Sequence, residues 1–142
     1  MDETVIASIS TRIENEPYSK KLGMRLVELQ PGRAVVEMVP GEDIANIFGM
    51  IHGGAIFSLI DEAFQASCNS HGRVAVALNV NVTYHHSPAR GSTLRAESNE
   101  IHLTNRTATY DIKVTDDNDE LIASCNALAY RKREKLPFLD AG

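Results

Sequence analysis

The stretch His52-Gly53-Gly54-Ala55-Ile56-Phe57-Ser58-Leu59-Ile60-Asp61 joins a glycine-marked turn to an apolar run that keeps helical spacing to about Asn69. Leu59, Ile60, Ala63, Phe64 and Ala66 cover most of the circumference of such a helix, so it is expected to be buried. Asp61 lies in its middle, where a carboxylate is costly unless it is neutralised, hydrogen-bonded or used. The two glycines let the backbone approach a ligand, with free N–H groups at the positive end of the helix dipole. A buried carboxylate next to free amide donors is the equipment of an acyl-transfer site. A plainer reading makes Asp61 part of a solvated stripe with Ser58, Glu62 and Gln65, and Glu62 is then the fallback carboxylate.

Spacing sharpens the first reading. Gly53 and Asp61 are separated by roughly 12 Å along one helix, because each residue rises about 1.5 Å. A carbonyl held by the Gly53 amide is then out of reach of the Asp61 on the same helix. The spacing predicts an oligomer in which Gly53 of one subunit meets Asp61 of another, most simply a two-fold dimer with two equivalent sites.

Outward from this segment, Val5, Ile6, Ile9 and Ile13 give a helix-like pattern from about Glu3 to Lys21, disturbed near its end by Pro17. Met24–Leu29 and Ala34–Val39 read as a hairpin turning at Pro31-Gly32, and residues 40 to 50 as irregular. After the central helix, with Gly72 placed as its C-terminal cap, a long alternating strand follows. Val74, Val76, Leu78, Val80, Val82 and Tyr84 face one way along it, and Asn79, Asn81, Thr83 and His85 the other. Three more strands are expected at about Ser92–Ile101, Thr107–Thr115 and Leu121–Tyr130, before a basic tail at Arg131–Lys135 that turns irregular. One helix, two strands, a buried helix and four strands make an α+β fold with an antiparallel sheet wrapped around a long central helix.

The 142 residues make one domain by size, residues 1–142, large enough for a core without disulfides or metal. A net charge of −5 leaves no basic stripe for phosphate neutralisation and argues against nucleic acid. No apolar run is long enough to span a membrane, and the first residues, Met1-Asp2-Glu3-Thr4, do not resemble a signal sequence. Cys68 and Cys125 read as reduced packing residues of a cytoplasmic protein, and Cys68 with His71 is poor zinc spacing, so no metal is expected.

Asn46, His52-Gly53-Gly54, Phe57-Ser58-Leu59, Asp61-x-Ala63-Phe64 and Cys68-Asn69-Ser70-His71-Gly72 together resemble the hotdog-fold acyl-CoA thioesterases of the phenylacetate-degradation (PaaI-like) type. Asn81-Val82-Thr83-Tyr84, Ser87-Pro88-Ala89 and Gly91 extend the likeness, which runs in order over roughly residues 20 to 130. The resemblance implies acyl-CoA as substrate, no cofactor, and a dimer of dimers. It makes Asp61 the general base or nucleophile, Gly53 the amide that polarises the thioester carbonyl, and His52 the residue that shapes the turn. Asn46 matches a loop asparagine that helps place water or thioester, and Gln65 stands where some relatives carry an assisting hydroxyl. Two positions depart from the pattern. Ala77 stands where some relatives place a water-holding serine, and His85-His86-Ser87-Pro88 lacks the arginine that often precedes that proline.

Gly54, His85 and Arg90 complete the candidate substrate contacts, Arg90 as a phosphate ligand alongside the tail residues Arg131, Lys132 and Arg133. The acyl group implied is aryl-acetyl or hydroxylated aromatic, with medium-chain fatty acyl groups as the alternative. The same scaffold also serves non-catalytic acyl-CoA binding, and fold alone does not separate the two.

Overall fold

The computed structural model describes residues 2–139. Helix α1 (Asp2–Glu14) is followed by α2 (Pro17–Leu22), β1 (Met24–Gln30) and β2 (Arg33–Met38). A 3-10 turn (Glu42–Ile44) leads to α3 (Gly53–Asn69), and then to β3 (Arg73–Tyr84), β4 (Leu94–Leu103), β5 (Thr107–Thr115) and β6 (Leu121–Lys135). All strands pair antiparallel in one sheet of order β1-β2-β4-β5-β6-β3. Helix α3 crosses the sheet and touches every strand in it. This is the α+β hotdog architecture, a sheet wrapped around one long central helix.

The packing follows from the side chains. Leu59, Ile60, Ala63 and Phe64 of α3 are sealed against Val36, Leu94, Ala96, Ile112 and Val114 of the sheet. Phe64 meets Tyr110 edge to face at 5.6 Å, a favoured aromatic geometry. Helix α1 buries Val5, Ile9 and Ile13 in a second cluster with Ala34, Ala66 and Leu136, covering the sheet at β1. Pro17 divides the N-terminal helical pattern in two. It stands at the first position of α2, where its missing N–H costs nothing.

Four expectations need correction. The long strand does not keep one apolar face, because a register shift between Ala77 and Asn79 breaks its alternation. Val80 and Val82 pack on the core, whereas Val76 and Leu78 are exposed. The last strand does not stop at Tyr130 but runs on through the basic tail to Lys135 and buries Arg131, which donates to the Thr104 carbonyl. The cap of α3 is Ser70; Gly72 takes the positive φ two residues further on. Finally, the helix buries a different carboxylate. Asp61 lies at the surface of this chain and Glu62, only 5% exposed, lies inside.

Candidate active site

The turn into α3 is built by side chains bonding to nearby backbone. The Asn46 Oδ1 accepts from the Phe48 and Met50 amides at 2.9 and 3.0 Å, closing the loop ahead of the helix. Arg90 reaches the same loop and donates to the Gly49 carbonyl at 2.9 Å. His52 is the N-cap residue, with extended backbone, and its Nδ1 accepts from the Gly54 N–H at 2.8 Å. That bond places the ring proton of neutral His52 on Nε2. It also explains Gly54, because a Cβ there would come within 3.0 Å of His52 Nδ1.

One amide is left over. The Gly54 N–H is taken by His52, which removes Gly54 from the candidate substrate donors, while the Gly53 N–H has no partner among the described residues. Gly53 is the first residue of a 17-residue helix, so this free donor stands at the positive end of its dipole. Tyr84 from the end of β3 packs over it: its hydroxyl donates to the Gly53 carbonyl at 3.2 Å, and its ring lies 3.7 Å from where a Gly53 Cβ would be. Sequence reading missed Tyr84 as a neighbour of this turn, since the contact joins residues 31 positions apart through the packing of β3 on α3.

Two turns along α3, Asp61 is exposed on this chain. Burial of part of its surroundings, and then the charge of Glu16, push its carboxyl above the ordinary value of 3.8. Gln65, one turn further, does not reach Asp61. Its Nε2 donates instead to Glu16 at 2.8 Å and to Glu62 at 3.1 Å. His85 is remote from this arrangement in hydrogen-bond terms, held 2.8 Å from the Ser124 hydroxyl on β6. Cys68 and Cys125 are free and buried, and burial pushes their thiols up to about 12 and about 11. No cluster of metal-ligating side chains occurs among the described residues.

An open cleft of about 560 Å³ begins at Gln65 and Glu16 and continues past Ile13, Val74, Leu136 and Phe138. A second, of about 680 Å³, lies beside the loop and is lined by Met50, Ile51, Pro88 and Arg90 among others.

The segment that carries the glycine-marked helix start and Asp61 lies within the region that comparison with known proteins matches. The model of the thioesterase superfamily matches residues 48–123, which span both features. The chain belongs to the thioesterase superfamily. It is a thioester hydrolase of the PaaI-like hotdog type. It is 40% identical to a putative esterase of Archaeoglobus fulgidus, over 87% of this chain and 80% of that one. It is 32% identical to the acyl-coenzyme A thioesterase PaaI of Escherichia coli, over 83% of this chain and 84% of that one. The structure of the E. coli PaaI protein from the phenylacetic acid degradation operon superposes with a TM-score of 0.89 at 28% identity, covering 95% and 98% of the two chains.

Proposed function

We propose that this thioesterase hydrolyses acyl-CoA to the free acid and coenzyme A, with the Gly53 amide as oxyanion donor and Asp61 as the group that activates the attack. The observation that carries the reading is the Gly53 N–H at the start of α3, which has no partner among the described residues. A donor fixed there meets the thioester oxygen as negative charge develops on it, an interaction typically worth about 3–4 kcal/mol in the transition state. Asp61 takes a proton from water as water adds to the carbonyl carbon; the C–S bond then breaks and the thiolate leaves, to be protonated by solvent. In the alternative path Asp61 itself adds to the carbonyl carbon, the C–S bond breaks with loss of the thiolate, and water cleaves the resulting anhydride. Both paths use the same two groups.

The site is complete only between subunits. Asp61 stands two helical turns from the Gly53 of its own chain, roughly 12 Å, too far to share one carbonyl. Strand β3 offers the means of assembly: it is twelve residues long, among the described residues pairs only with β6, and presents Val76, Leu78 and Tyr84 to the outside. A free apolar edge of that length favours pairing with a second copy. A two-fold dimer, itself paired into a dimer of dimers, brings each Gly53 to the Asp61 of its partner. The 560 Å³ cleft opening at Gln65 supplies room for an aryl or medium-chain acyl group, and Arg90 stands on the loop side for the nucleotide end.

The test is release of free thiol across a panel of acyl-CoA esters by wild type and Asp61→Asn. Turnover abolished by the substitution, with binding retained, supports the assignment. Equal turnover would remove Asp61 from it, and acyl-CoA binding without turnover in wild type would point to a ligand-binding protein. Composite sites are tested by mixing Asp61→Ala with Gly53→Pro subunits. Activity in the mixture above that of either parent is expected; none after verified exchange would overturn the shared site.

A further inference from the structure

The buried carboxyl on α3 has no role in the reaction as described, and its surroundings are unusual. Glu62 points inward at the α1–α2 junction, where Glu16 meets it. The Gln65 amide nitrogen lies 2.8 Å from Glu16 Oε2 and 3.1 Å from Glu62 Oε1, so one side chain bridges both carboxyls. The two remaining oxygens, Glu16 Oε1 and Glu62 Oε2, are both buried and receive no hydrogen bond from any described group. No ion pair among the described residues involves either glutamate. Two ionised carboxyls in hydrogen-bond contact, each with a buried oxygen that has no donor, would be costly. A single proton removes both defects at once, turning one oxygen into a donor and the other into its acceptor.

We infer that Glu16 and Glu62 share one proton, Glu62 as the neutral acid donating to ionised Glu16, and that this pair is a positioning device for Asp61. It holds one negative charge next to Asp61 and ties the α1–α2 junction to the helix that carries the reaction. The role assigned to the pair rests on the proposed part of Asp61; the shared proton does not. Glu62 is the neutral partner because it is the more deeply buried. Burial first, then its hydrogen bond to Glu16 and that residue's charge, push the Glu62 carboxyl up to about 9, with Ser19 of α2 opposing and Asp61 adding to the rise. Asp61 in turn faces Glu16 from the junction and Glu62 on its own helix. Its charge is also felt by the thiols of Cys68 on α3 and Cys125 on β6. A negative neighbour disfavours the ionised form of Asp61 and makes it a stronger base toward water.

The proton is sought first in the unaltered protein. With glutamate carboxyl carbons labelled by ¹³C, one resonance is expected to stay in the protonated position at pH 7, to titrate near 9, and to vanish in Glu62→Gln. If every glutamate carboxyl titrates in the ordinary range, the shared proton does not exist. Stability gives the same answer without a spectrum of the pair. A carboxyl whose folded value is raised binds a proton that the unfolded chain releases, so its contribution is full below about 4.5 and is lost as pH rises to about 9. Wild type is therefore expected to lose stability over that range in a component absent from Glu62→Gln; identical slopes would count against the pair. The role toward Asp61 is read in Glu16→Gln/Glu62→Gln. Removing the pair's charge lowers the Asp61 value, so the acid limb of kcat/KM moves to lower pH by roughly half a unit, about threefold in relative rate on that limb. The ¹³C titration of Asp61 moves with it, which separates the electrostatic effect from any doubt about catalysis. An Asp61 titration that stays in place in the double variant would overturn the positioning role.

Discussion

The two ends of α3 are finished in opposite ways. At its C-terminus nearly every polar group is spoken for. Ser70 Oγ accepts from the Gly32 N–H at 2.7 Å and donates to the Ser67 carbonyl at 2.6 Å, and the Ser67 and Ser98 hydroxyls meet at 2.7 Å. Asn69 clasps the start of β3, its Oδ1 accepting from the Ala75 N–H at 2.9 Å. His71 Nε2 and the Tyr110 hydroxyl share one oxygen of Glu100, at 2.7 and 2.9 Å. At the N-terminus the polar groups satisfy one another only in part, and the Gly53 amide has no partner among the described residues. An anchored end fixes the helix against the sheet, so that the free end presents its donor without reorganising when charge develops in front of it. Substitutions at the two ends should therefore separate: stability from one, rate from the other.

The largest expected effect lies between the two ends. Asp61→Asn should lower kcat by roughly 10²–10⁴-fold with no loss of thermal stability, read by thiol release and by thermal unfolding. Gly53→Pro comes next. Proline is tolerated at the first position of a helix and the extended His52 backbone suits a residue before proline, so the chain should fold while losing its free N–H. A fall in kcat of about 10²–10³-fold at unchanged stability is expected, and a wild-type rate would remove the oxyanion role. At the anchored end, Ser70→Ala leaves the buried Gly32 N–H without an acceptor and should cost about 1–3 kcal/mol in denaturant unfolding, with little change in rate per folded molecule. A stability cost near zero there, or a large loss of rate, would break the division of labour. His52→Ala should be mildest, about 1 kcal/mol for a lost cap, with a secondary loss of rate as the Gly53 turn loosens.

Much of this arrangement was legible in local sequence. The limits of α3, the hairpin turning at Gly32, where φ is +76°, and the break at Pro17 each rest on residues within a few positions of one another. The sequence marks the turn glycines as a site and the resemblance gives Gly53 the amide role, but the duty of Gly54 is not legible there. Gly54 accommodates His52, and Gly53 keeps the free amide, a distinction that depends on where one imidazole nitrogen points. The resemblance makes Asn46 a residue that places water or thioester, whereas in the structure its Oδ1 is committed to the turn. Gln65 was placed on the face of Asp61 by helical spacing, yet it serves the Glu16–Glu62 pair. Nothing local reveals that a residue 49 positions away comes to meet it.

The sequence by itself determined where the helices and strands lie and marked the segment that carries the chemistry. Helical and strand periodicity, proline geometry and glycine turns act over a few residues and leave a direct trace there. Only the tertiary structure decided that β3 crosses to the far edge beside β6, that its alternation breaks at Leu78, and that Glu62 rather than Asp61 is the buried carboxylate. Which flank of a helix is covered depends on elements distant in the chain. Here the α1–α2 junction, brought over α3 by the packing of Val5, Ile9 and Ile13, encloses one carboxyl and leaves its neighbour at the surface.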